Sequence, residues 1–267
     1  MLYQAKNGVL PIDGTTMEYI RFGSGKRILI MLPGLGDGLR TMKGTALPMA
    51  LLYRIYAKHY TVYAFSRKTH LPQGYTTRDM ARDQRKAMDA LGIQSADFFG
   101  VSMGGMIAQH FAADYPERVN KLILAVTCAQ PNPILEESVE EWLTCARLDD
   151  HTALMESNVR RIYTDRYYRR NKWMIPITGK LTKPKSYDRF FIQAQACLSH
   201  DAFDRLPFIM APTLVVGGGK DMAVGPEASR ELAANIPGAR LRIYPEFGHG
   251  VYEESKTFHT GVLAFLR

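Results

Sequence analysis

Short apolar runs of strand length alternate with longer stretches of helical periodicity along most of the chain, the pattern of an α/β protein with a mostly parallel sheet and helices on both faces. Strands are expected at residues 27–31 (RILIM), 60–65 (YTVYAF), 96–101 (ADFFGV), 121–127 (KLILAVT), 213–217 (TLVVG) and 240–244 (RLRIY). Two shorter runs, 9–12 and 17–22, read as an antiparallel hairpin at the sheet edge. Helices are expected at 77–91, 103–115, 226–236 and 253–266, with Pro226 suited to a first helical turn. The alternation breaks once. Between residues 127 and 213 there is no convincing buried strand, and the interval is opened by Pro131 and Pro133 and closed by Pro207 and Pro212. It reads as a helical lid, 131–206, inserted into a core domain made of 1–130 and 207–267. Leu135, Val139, Trp142, Leu143 and Ala146 share one helical face, and Phe190, Phe191, Ala194, Cys197 and Leu198 share another, so the insertion has greasy faces with which to cover a pocket.

A chain of 267 residues, 46% hydrophobic and 22% charged, suits one compact unit with a sizeable core. Residues 1–27 lack the apolar centre of a signal peptide, and no later stretch reaches the roughly 18 apolar residues of a spanning helix. A cytoplasmic protein without stable membrane insertion is therefore expected. Cys128, Cys145 and Cys197 are odd in number and widely spaced, which fits reduced thiols and not a zinc site or a redox pair.

The net charge of +8 is concentrated in one place: residues 157–189 hold ten cations against Asp165 and Asp188. Tyr163, Tyr167, Tyr168 and Trp173 are interleaved with them. Such a segment suits nucleic acid, an anionic substrate or an acidic membrane surface. The plainer expectation is a solvated helical face whose aromatics point inward, with no nucleic-acid partner.

The sharpest chemical signal is Gly100-Val101-Ser102-Met103-Gly104, followed by Gly105, between a strand and a helix. A strand that reverses into a helix within a few residues forces the serine into a strained conformation and leaves no room for side chains two positions away, which the glycines provide. A serine hydroxyl needs a base, and the base needs an orienting carboxylate. Of seven histidines, only His249 stands in a glycine-flanked loop after the last strand, Phe247-Gly248-His249-Gly250. The acid is Asp221, the only carboxylate in the loop after the preceding strand. The order Ser102, Asp221, His249 lets consecutive strands deliver all three to one sheet edge. The backbone N–H of Met103 and that of Leu35, in the loop 32–38 (LPGLGDG), are the expected oxyanion donors. Other glycine clusters fail as nucleotide sites. Gly23-Ser24-Gly25-Lys26 lacks the upstream glycine of a phosphate loop, and Gly34, Gly36 and Gly38 do not fit GxGxxG.

On these residues the chain resembles the α/β-hydrolase superfamily. Residues 99–109 (FGVSMGGMIAQ) with 115–119 (YPERV), and 244–252 around Gly248-His249-Gly250, resemble its esterase and enol-lactonase branch. The resemblance implies an eight-stranded sheet with a lid after the sixth strand, no cofactor and no metal, and hydrolysis of a small carboxylic ester or lactone. Carbon–carbon cleavage, peptidase or perhydrolase chemistry, or a low-turnover ligand-binding receptor, are the alternatives that the same triad allows. Two departures stand out. Pro33-Gly34 replaces a usual His-Gly, and Ser66-Arg67-Lys68-Thr69-His70 replaces a glycine-rich segment that borders the pocket. Arg67, with Lys68, is thus expected to favour an anionic substrate, and Trp142 of the lid is a second candidate contact. The lid's apolar faces are also compatible with a homodimer.

Overall fold

The structure, a computed structural model, describes residues 2–267. Strand β1 (Lys6–Ile12) turns into β2 (Thr15–Phe22) through Asp13-Gly14, both with φ positive, the Asp-Gly turn whose twist matches a hairpin. The remaining strands are β3 (Arg27–Leu32), β4 (Tyr60–Lys68), β5 (Ala96–Val101), β6 (Val119–Ala125), β7 (Thr213–Gly218) and β8 (Arg240–Tyr244). They form one eight-stranded sheet in the order β1-β2-β4-β3-β5-β6-β7-β8, antiparallel at β1, β2 and β4 and parallel from β4 through β3 to β8. Every strand expected from the apolar runs is present.

The chain leaves β3 toward β4 on one side and returns to β5 on the other. The loops after β3 and β5 therefore diverge at a topological switch, where open α/β sheets place their sites. In register terms, Leu32 pairs with Gly100, so the first loop starts beside the second. Parallel strands covered on both faces bury both sets of alternating side chains. Ile30, Leu32, Phe98 and Leu124 join the cluster on one face, and Leu29, Met31, Phe99 and Ile123 the cluster on the other.

Helices α1 (Ala46–Leu52) and α2 (Arg54–Ala57) precede β4, and α3 (Thr77–Ala90) and α4 (Met103–Asp114) flank β5. Thr76 caps α3 in a capping box with Asp79. Between β6 and β7 lie α5 (Pro133–Arg147), α6 (His151–Ile162), α7 (Asp165–Asn171), α8 (Ile175–Thr182) and α9 (Asp188–Leu198). Asn132 starts α5 by accepting the Ile134 and Leu135 N–H groups, with Pro133 at the first helical position. The expected greasy face of α5 is buried throughout, in the same cluster as Leu35 and Met103. After β7 come α10 (Ala228–Asn235), α11 (Val251–Glu254) and α12 (Phe258–Leu266). The single helix expected at 253–266 is broken, because Ser255 is extended and its hydroxyl takes the Thr257 N–H that a continuous helix would use.

The aromatics of the basic segment correct another expectation. Tyr163, Tyr167 and Tyr168 are half-buried, but Trp173 is 68% exposed. Helix α8 turns Ile175 and Gly179 inward, and Gly179 sits so close to Thr152 of α6 that a Cβ there would lie 2.9 Å from its hydroxyl. That contact fixes which side of the segment faces out.

Histidines remote from the expected site are held without charge, His110 and His200 fully buried and His259 half-buried. Burial holds His110 and His259 down at about 4 and His200 well below the usual range. Because the unfolded chain takes up these protons near 6.5 and the folded chain does not, stability is full above that value and falls as pH drops toward 4. Asp83 and Asp97, raised by burial, oppose this closer to pH 4. Urea unfolding at pH 5 against pH 7 is expected to show a loss of roughly 2 kcal/mol each for His110 and His259. Equal stability at the two pH values would contradict it.

Candidate active site

Ser102 ends β5 and opens α4 with φ 54° and ψ −124°, a left-handed conformation that a serine adopts only when its surroundings impose it. They do. Its N–H is held by the Ala125 carbonyl at 2.9 Å, and its carbonyl accepts from Gly105 at 2.7 Å. Glycine is required around it, since a Cβ on Gly100 would lie 2.5 Å from the Gly104 oxygen and one on Gly104 would lie 1.9 Å from the Leu32 oxygen.

The loops after β7 and β8 are laced together by Gly219 N–H to Tyr244 O and Lys220 N–H to Phe247 O, each at 2.9 Å. This lacing brings Asp221 to His249, whose Nδ1 lies 2.9 Å from Asp221 Oδ2. Asp221 Oδ1 accepts from the Ala223 and Val224 N–H groups at 2.8 and 3.0 Å. With both carboxylate oxygens accepting, the imidazole donates through Nδ1 and keeps the Nε2 lone pair free. Both residues are 3% exposed. The Ile162 carbonyl at the end of α6 takes the Gly250 N–H at 2.6 Å, tying the helical segment to the histidine loop. The Ser102 hydroxyl makes no hydrogen bond among the described residues.

The two expected oxyanion donors flank Ser102. Gly34 approaches so closely that a Cβ on it would lie 3.3 Å from the Ser102 Cβ, and Leu35 follows it at the start of a short 3-10 turn. Met103 is the first residue of α4, so its N–H has no partner inside the helix. Among the described residues neither amide is spent on a protein acceptor.

Arg67 and Lys68 do not border an open pocket as expected. β4 continues through both, so their side chains alternate to opposite faces. Lys68 is turned to Asp83 and Asp13, at 3.3 and 3.2 Å. Arg67, 2% exposed, donates Nη2 to the Pro33 carbonyl of the loop after β3 at 2.6 Å. Burial pulls its guanidinium down while the Asp37 carboxylate opposes this. Trp142 is buried on α5, and its indole N–H has no protein partner.

One functional group of contacts has no precursor in the sequence pattern. Asp37, in the loop after β3, accepts the Arg67 N–H at 3.0 Å, the Arg189 guanidinium at 2.9 Å and the Gln193 amide at 3.3 Å, all on Oδ2. Arg189 also donates to the Asp37 carbonyl at 2.9 Å. A single carboxylate thus pins the loop after β3 to β4 and α9. Asp37→Ala strips the half-buried Arg189 of its ion-pair partner and the Arg67 backbone N–H of its acceptor, and is expected to cost about 3 kcal/mol in urea unfolding. A change within experimental error would remove Asp37 from this role. A groove of about 570 Å³ is lined by Glu137, Arg160, Arg161, Lys220, Asp221 and Met222; neither Ser102 nor His249 lines it.

A strained serine between strand and helix, with a buried Asp–His pair from the loops after the last two strands, defines the α/β-hydrolase class. Consistent with this, residues 27–256 match the family described as alpha/beta hydrolase fold, and the chain belongs to it. A protein of Caulobacter segnis named carbamate hydrolase RutD is 25% identical over 91% of this chain and 92% of its own. A 2-hydroxy-6-oxo-6-phenylhexa-2,4-dienoate hydrolase of Burkholderia cepacia is 32% identical over 70% of this chain and 68% of its own. Among solved structures, the enol-lactonase of Burkholderia xenovorans LB400 superposes with a TM-score of 0.80 at 25% identity, covering 97% of this chain and 99% of that one. The chain is a hydrolase of this superfamily, alongside its esterases and enol-lactonases.

Proposed function

We propose that this enzyme is a serine hydrolase that cleaves a small carboxylic ester or lactone through an acyl-enzyme on Ser102. The reading rests on one observation, the strained Ser102 flanked by the unspent amides of Leu35 and Met103 in a site that also holds the Asp221–His249 pair. His249 Nε2 takes the Ser102 proton as Oγ attacks the carbonyl carbon. The Leu35 and Met103 N–H groups receive the negative charge that develops on the carbonyl oxygen. The imidazolium, stabilised by Asp221, returns the proton to the departing alkoxide. A water then repeats the sequence, releasing the acid and restoring the serine. Trp142, with its free indole N–H, is the lid residue proposed to contact a polar atom of the substrate.

The 32% identical relative favours a second reading, hydrolysis of a carbon–carbon bond next to a ketone with the same triad. A panel of p-nitrophenyl esters from acetate to palmitate, simple lactones and a 2-hydroxy-6-oxodienoate separates the two. Turnover of an ester or lactone is expected, with a chain-length optimum set by the pocket. Consumption of the dienoate alone, by folded protein, would replace the ester reading with the carbon–carbon one.

A further inference from the structure

The basic segment between β6 and β7 has a second property that the hydrolytic site does not use. Of its ten cations, Arg160, Arg161, Lys183 and Arg189 are taken up in ion pairs. Arg166, Arg169, Arg170, Lys172, Lys180 and Lys185 are exposed and, among the described residues, make no ion pair. Between them runs an apolar stripe. Trp173, Met174, Ile177 and Leu181 are 68%, 40%, 54% and 80% exposed. Ile177 and Leu181 are one helical turn apart on α8, on the side opposite Ile175 and Gly179, which face α6. The exposed face is therefore built by the packing of the buried one and is not a frayed end.

We infer that this face is a docking surface for an anionic lipid bilayer. The charge and the apolar groups are arranged as an interfacial helix requires: aliphatic side chains reach the acyl boundary, tryptophan sits at the depth of the headgroups, and lysines and arginines beside them meet the acidic phosphates. No helix among the described residues is long and apolar enough to cross a membrane, so the contact is peripheral. A second copy of the chain is a poor occupant, because a two-fold contact would face the unpaired cations of one copy with those of the other. Nucleic acid would use the cations and leave Ile177 and Leu181 without a function. Through the Ile162–Gly250 bond the docked segment remains tied to the loop of His249.

The test is co-sedimentation of the full chain with phosphatidylcholine vesicles, with and without phosphatidylglycerol, at low and high salt. Binding is expected only with phosphatidylglycerol and is expected to weaken with salt. Trp173 emission is expected to shift to the blue and to be quenched by brominated lipid. Trp173→Phe should lose this response, since the other tryptophan, Trp142, is buried. The double variant I177D/L181D and the double variant R169E/R170E should each partition about tenfold more weakly or worse. All four residues are exposed, so both variants should keep the circular dichroism and soluble-ester rate of the wild type. The inference is overturned by no binding to anionic vesicles, or by binding that I177D/L181D leaves unchanged. Salt-sensitive RNA binding or a stable dimer in place of vesicle binding would overturn it as well.

Discussion

Ser102→Ala is expected to lower kcat on the best ester by about a thousandfold or more, because without Oγ there is no atom to form the acyl-enzyme and the oxyanion donors act alone. The same variant should unfold within about 0.5 kcal/mol of the wild type, since the hydroxyl makes no hydrogen bond among the described residues and alanine bears the same backbone strain as serine. The pair of measurements, rate and urea midpoint, distinguishes lost chemistry from lost structure. A variant that still turns over ester at a wild-type rate would place the nucleophile elsewhere.

Gly104→Ala is expected to damage both. Its Cβ would lie 1.9 Å from the Leu32 oxygen and 2.8 Å from the Pro33 oxygen, both backbone atoms with no rotamer to yield. Either the end of β3 or the start of α4 must move. The expected cost is about 3 kcal/mol or more of stability. A displaced β3 end also carries Leu35 off the oxyanion, which should reduce kcat by about a hundredfold or more in whatever protein remains folded. Gly36→Ala, two residues further along the same loop, is the control. Nothing lies within 4 Å of its Cβ position, so it should be close to neutral. Equal behaviour of the two alanine variants would show that the close approach of α4 to β3 is not what holds the elbow.

What could be read from the sequence, and what could not, follows from the range of the contacts involved. The elbow and the histidine loop announce themselves because their steric requirements are met by glycines within a few residues. The sheet was equally legible, since buried parallel strands are short continuous apolar runs. Helix α1 was not, because ALPMALL is apolar all round and has no periodic face to recognise. The apolar run stops at Phe65 while β4 continues to Lys68, because Arg67 and Lys68 are unusual residues for a buried strand end and depend on distant partners, Pro33 for one and Asp13 and Asp83 for the other. Asp37 and Arg189, 152 residues apart, form a contact that no local pattern encodes. The orientation of Trp173 was hidden likewise, being settled by the seat of Gly179 on Thr152.

The central claim is that Ser102, activated by His249, is the nucleophile. Intact-mass analysis after brief treatment with an alkyl fluorophosphonate tests it most directly. The account predicts a single adduct, mapped to Ser102 by peptide sequencing, absent from Ser102→Ala and strongly slowed in His249→Ala. An unmodified folded protein, or an adduct on any other residue, would contradict it.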